Sequence, residues 1–145
     1  MKKEIALRVN VIVLGAAAAM DFLRGFAHTF RVRSAAANGA EIEPLPDSLF
    51  LLGAFGISNF LTCFLYILII VKARKLAPYV LLIIPASYFL GAIGIRFQDV
   101  QPESAFNGRY IMAVYLSISV LTAFYYFAVS VLSRSKAPLI ETGQV

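Results

Sequence analysis

Three stretches of the chain carry no charged side chain: Ser48 to Val71, Leu76 to Ile95 and Tyr110 to Ser133. They are 24, 20 and 24 residues long. A hydrocarbon core of about 30 Å is crossed by roughly 20 apolar residues in a helix. Each run therefore predicts a membrane-spanning helix. Lipid cannot satisfy the open edge of a sheet, and barrel strands would be about 10 residues long and alternating, whereas these runs are continuous. A fourth segment, from about residue 5 to about residue 30, is comparably apolar but holds Arg8, Asp21, Arg24 and His28. The pattern predicts spans over about 5–30, 48–71, 76–97 and 110–133 in a single domain of 145 residues. The fold class it implies is all-α: a polytopic membrane protein built as an antiparallel four-helix transmembrane bundle.

The connections are polar. Residues 31–47 contain Asn38-Gly39, Pro44 and Pro46, and residues 98–109 contain Pro102 and Asn107-Gly108. All are turn formers, and both segments are expected to be loops. Residues 134–145 form a polar tail, expected to be loose. Pro85 falls near the middle of the third span and is expected to kink it. The N-terminus imitates a secretory signal, with Lys2 and Lys3 ahead of an apolar run and the small residues Gly15 to Ala19. Arg8 and Asn10 interrupt that run, and apolar residues continue to Phe30, so it reads as a first span rather than a cleaved leader.

Lys and Arg counts in short loops orient such a bundle. Lys2, Lys3, Lys72, Arg74, Lys75, Arg134 and Lys136 fall on one side, and Arg31, Arg33 and Arg109 on the other. Both termini are expected to face the cytoplasm, in what the short loops suggest is a bacterial inner membrane. The composition, 60% hydrophobic and 14% charged, lies far from the soluble average of about 25% charged. A net charge of +5 collected beside the spans points to anionic lipid rather than nucleic acid. The lone Cys63 excludes an intrachain disulfide and a CxxC pair, and the lone His28 excludes bis-histidine haem ligation by one chain. No cofactor and no metal site are indicated. Gly15 to Ala19, Gly53 with Gly56, and Gly91 with Gly94 offer small surfaces where helices approach closely in lipid.

The candidate chemistry sits in the first span. Asp21, Arg24 and His28 are spaced by three, four and seven residues and share one helical face. Arg96 closes the third span on the same outer side, and Asn59 lies near the middle of the second, flanked by Ser58 and Thr62. A charged side chain within a span costs at least about 2.5 kcal/mol. Asp21, Arg24, His28, Asn59 and Arg96 are therefore the candidate ligand or proton site. Asp21 could hold a proton or cation, Arg24 and Arg96 an anionic group, and His28 could relay protons. A packing account competes. In it Asp21 and Arg24 pair within their helix, Arg24 and Arg96 reach headgroup phosphates, Arg8 snorkels, and Asn59 bonds between helices. The tyrosines Tyr79, Tyr110, Tyr125 and Tyr126 read as interfacial belt and packing residues.

No spacing matches HExxH, a nucleophile elbow or a phosphate loop, so no catalytic residue is assigned. An enzyme would have to draw on Asp21, Asp99 and Glu103 with His28, Arg96 and Arg109. The plan is similar to the small multidrug-resistance transporters in helix number and in having one acid in the first helix. Those use Glu where this chain has Asp21, are shorter, and lack the polar outer loop. That likeness implies an oligomeric carrier with Asp21 as its ion site. Helix number is also similar to that of DoxX-like proteins. The expected function is a non-enzymatic accessory or lipid-associated membrane component. The alternative is a small oligomeric carrier or an ion or proton pathway that uses the intramembrane Asp21. The expected partners are membrane lipids, a second copy, or a larger membrane protein.

Overall fold

A computed structural model describes residues 2–40, 42–99 and 108–135. They form a bundle of helices, four of which are long and apolar enough to cross a membrane. Helix α1 spans Lys2–Phe30, α2 Val32–Ala35, α3 Pro46–Lys72, α4 Ala77–Phe97 and α5 Gly108–Ser135. The chain is membrane-embedded, and its spans run in alternating directions. Proline opens two of them, since Pro46 and Pro78 occupy the first turns of α3 and α4, where the missing N–H removes no helical bond.

Helix α1 is the centre of the bundle and packs against α3, α5 and α4, most extensively against α3. Its buried side combines the small residues Ala6, Ala17, Ala18 and Gly25 with Leu7, Asn10, Leu14 and Asp21. Leu14, Ala17 and Ala18 meet Cys63 and Tyr66 of α3, Leu81 and Ile84 of α4 and Ala123 of α5. Dispersion and close backbone approach hold helices together in lipid, where burying apolar surface gives no advantage over tails. A run from Ala16 to Ala19 suits that role. The α1–α3 pair is antiparallel: Gly15 lies beside Ile70, Asp21 beside Thr62, and Gly25 against Gly56 and Phe60. The α1–α5 pair is pinned near the N-terminus by Asn10, which is 0% exposed. Its Nδ2 donates to the Ala6 carbonyl at 2.8 Å and across to the Thr122 carbonyl at 2.9 Å. Tyr79 of α4 meets Phe127 of α5 edge-on at 5.2 Å.

The segment 31–47, expected as a loop, keeps winding for part of its length. After a break at Arg31, α2 leads into a π-turn over Ala36–Ala40, and the Ile42 amide bonds the Ala36 carbonyl at 3.1 Å. Three consecutive alanines, Ala35 to Ala37, have the highest helix propensity and carry the winding through the Asn38-Gly39 turn signal as far as Ala40. Helix α4 remains helical through Pro85. From Ala86 to Asp99 every residue of α4 and its exit is exposed. Gly91 and Gly94 have nothing within 4 Å of where a side chain would begin. Their expected use as close-packing sites is therefore not realised within the described residues, whereas Gly25 and Gly56 do make such a contact. Asp99, at φ 53°, takes the left-handed conformation that ends many helices and that Asp tolerates better than most residues. Pro102, Glu103, Asn107, Lys136 and the rest of the tail lie outside the described residues, as does the side chain of Arg109.

Candidate functional site

The candidate residues of the first span lie along the α1–α3 seam, and glycine lets them do so. A Cβ on Gly25 would meet the Gly56 carbonyl oxygen and the Phe60 ring at 3.1 Å. A Cβ on Gly56 would run into Thr29 Oγ1 and sit 3.0 Å from His28 Cβ. The backbones thus approach where Arg24 and His28 leave the helix. Phe60 braces the same seam, edge-on to Phe22 at 5.7 Å and to Phe30 at 6.3 Å.

Asp21 lies one turn deeper and is 7% exposed. The Thr62 hydroxyl approaches Asp21 Oδ2 at 2.6 Å and the Asn59 carbonyl at 3.0 Å. A hydroxyl has one proton. An ionised Asp21 therefore takes that proton from Thr62, whereas a protonated Asp21 donates to Thr62 and frees it to donate to Asn59. Either arrangement closes the bond between the two helices. Asn59 is 5% exposed, and its Nδ2 finds no partner.

Arg24 does not complete the intrahelical pair with Asp21 that the spacing suggested. No ion pair joins them among the described residues. The Arg24 guanidinium instead stands over the Phe55 ring at 5.7 Å, and the His28 ring lies 5.6 Å from the same ring. A cation above an aromatic face is favourable, and Phe55 is one helical turn from Asn59 on the facing helix. His28 Nδ1 is buried without a partner. Arg96 is exposed near the C-terminal end of α4, and no described contact brings it to Asp21, Arg24 or His28. The seam therefore gathers Asp21, Arg24, His28 and Asn59, with Arg96 standing apart on the exposed C-terminal part of α4.

Residues outside the predicted set extend this polar strip. The hydroxyls of Tyr66 on α3 and Tyr115 on α5 lie within hydrogen-bonding reach of each other, and both lie within electrostatic reach of Asp21 and of Tyr88 on α4. Ser119, fully buried, bonds back to the Tyr115 carbonyl at 2.9 Å. One signal for Tyr66 was present in the sequence. Asn59, Thr62 and Tyr66 are spaced by three, four and seven, the same face rule that grouped Asp21, Arg24 and His28. The same rule marks Tyr115, which is spaced from Ser119 and Thr122 by four, three and seven on α5, whereas nothing comparable marks Tyr88, whose relation to Tyr66 and Tyr115 runs between helices. Chemically, the strip offers hydroxyls, amides and one carboxyl that exchange hydrogen bonds. It pairs no nucleophile with a base, and no three His, Cys, Asp or Glu side chains gather into a metal cage among the described residues. No family model, no curated protein and no solved structure matches the chain.

Proposed function

We propose that this chain is a non-enzymatic component of its membrane, working through contact with lipid and with another membrane polypeptide. The observation that supports this reading most is the engagement of Asp21 with Thr62 at 2.6 Å inside a seam closed by Gly25 and Gly56. The one acid within the first span past its opening turn acts there as an interhelical bond. Interhelical bonds of this kind contribute about 0.6 kcal/mol on average in bilayers. The stretch of α4 from Ala86 to Asp99, exposed at every residue among those described, leaves room for a second polypeptide or for lipid. In this reading the membrane is a bacterial cytoplasmic membrane, and both termini face the cytoplasm, as the Lys and Arg distribution favours.

The test is gentle extraction with surrounding lipid followed by native mass spectrometry. The reading expects a fixed stoichiometry with a larger membrane protein, unchanged by Asp21→Asn. A homo-oligomer that carries a reproducible small molecule, and that loses proton-linked uptake in vesicles on Asp21→Asn, overturns it.

A second reading is favoured by one specific observation: the Tyr66–Tyr115 pair within reach of Asp21, beside the unpartnered Asn59 Nδ2. Hydroxyls and a carboxyl at mid-membrane depth are the parts of a proton path. Tyr115→Phe would then slow proton-linked uptake without loss of fold, while the component reading leaves vesicle proton flux at background for wild type and variant alike.

A further inference from the structure

At the opposite end of the α1–α3 pair from His28 lies a groove of about 370 Å³ that the functional reading does not use. Its floor is apolar, formed by Leu7 and Val11 of α1 and Ile70 of α3, and Arg8 and Arg74 stand on its walls. We infer that this groove is a binding site for one anionic glycerophospholipid of the leaflet that meets the basic end of the bundle.

The occupant follows from charge and depth. Arg8 lies about 9 Å along α1 from Lys2 at 1.5 Å per residue, so its Cα is below the level of that helix's first residues. Helical side chains lean toward the N-terminus, which directs Arg8 back toward the headgroup layer. Arg74 belongs to the short 3₁₀ turn Arg74–Leu76 that follows α3, at the same end. Glu4 shares the groove and bonds Arg8 only loosely, Nε to Oε1 at 3.6 Å, with both side chains more than half exposed. An arginine carries five N–H donors, so that contact leaves most of the Arg8 guanidinium free. Arg74 has no acidic partner among the described residues, and Lys72 and Lys75 flank it on exposed positions. The rim is therefore net positive, and it matches a phosphodiester, which both arginines can grip. Ile12, which is 70% exposed, also lines the groove, and with Leu7, Val11 and Ile70 it offers an apolar surface that suits an acyl chain. A free phosphate would leave that floor uncovered. Basic pockets between spans are the usual seats of anionic lipids. The site does not depend on the component reading, since a carrier with the same groove would hold the same lipid.

The test uses the full chain in mild detergent, titrated with phosphatidylglycerol or phosphatidylcholine of identical acyl chains and followed by native mass spectrometry. Glycerol phosphate serves as the tailless probe. One phosphatidylglycerol is expected to bind in clear preference to phosphatidylcholine, and glycerol phosphate should not displace it at equal concentration. Arg8→Gln with Arg74→Gln should weaken phosphatidylglycerol roughly 10- to 30-fold, the effect of removing two basic groups near an anionic lipid. Lys2→Gln with Lys3→Gln removes as much charge outside the groove and should change binding less than twofold. Should the double arginine variant lose its helical circular dichroism, Arg74→Gln alone, on an exposed turn, is expected to weaken binding several-fold. Equal binding of the two lipids, displacement by glycerol phosphate, or equal effects of the arginine and lysine pairs would overturn the assignment.

Discussion

Asp21 and Thr62 decide how the polar face of the first span is used. Asn in place of Asp21 keeps an oxygen and an amide within reach of Thr62, so Asp21→Asn should shift stability by less than about 1 kcal/mol. Thr62→Val removes the hydroxyl and should cost about 0.6 kcal/mol, with about 1.7 as the upper bound seen for such bonds. Unfolding in mixed micelles measures both, and a loss above about 3 kcal/mol for Asp21→Asn would mean that its charge, not its bond, holds the seam. Asn10 is a sharper case. It is fully buried, and its Nδ2 spans two helices at 2.8 and 2.9 Å. Asn10→Leu should loosen α5 from α1, read as faster proteolysis at the α5 end, by more than Asn59→Leu loosens α3. Asn59 Nδ2 has no partner to lose. In the sequence Asn10 is legible only as an interruption of an apolar run. Its partner, the Thr122 carbonyl, is 112 residues away, and backbone acceptors leave no compositional trace.

At the scale of elements, the same residue type has opposite meanings on α3 and α4. Gly56 faces Thr29 and His28 at contact distance, whereas Gly91 faces open space. Gly56→Leu should force α1 and α3 apart and cost about 1–3 kcal/mol or more, as overpacking does. Gly91→Leu should leave the isolated chain's stability unchanged within about 0.5 kcal/mol, since nothing stands in its way. Thermal unfolding of the two variants side by side checks this. A large loss for Gly91→Leu in the membrane, absent in the isolated chain, would reveal a polypeptide seated on α4. The spans themselves were legible because uncharged length is a local property, read without knowing any partner. The expected bounds of 48–71 and 110–133 fall within two residues of α3 and α5. The helical turn within 31–40 was not legible, because turn signals and alanine propensity compete over a few residues and the outcome depends on where α1 ends.

For the whole molecule, the alternation of four spans places Lys3 at one end of the bundle and the 31–40 segment at the other. Reporter cysteines introduced as Lys3→Cys and Asn38→Cys, with Cys63→Ala removing the buried native thiol, should therefore label from opposite sides of sealed vesicles. The charge bias expects position 38 to react with an impermeant reagent added outside the cell and position 3 only after permeabilisation. Labelling of both from one side would break the four-span arrangement, and reversed labelling would break only the orientation.

The sequence by itself determined that this is a helical membrane protein, how many spans it has and close to where each begins and ends. Those properties depend on the transfer of each segment into lipid, a sum over neighbours in the chain. It also marked α1 as the helix with polar groups, because a charge in lipid is costly wherever its partner is. Only the tertiary structure decided what those groups meet. It put α1 at the centre of the bundle, gave Asp21 to Thr62 rather than to Arg24, and set Arg24 and His28 about Phe55. It also drew Tyr66 and Tyr115 into the same strip and left Arg96 outside it. Those choices rest on which glycines let two backbones meet and on the register between antiparallel helices. Both are relations between residues tens of positions apart, which no local pattern encodes.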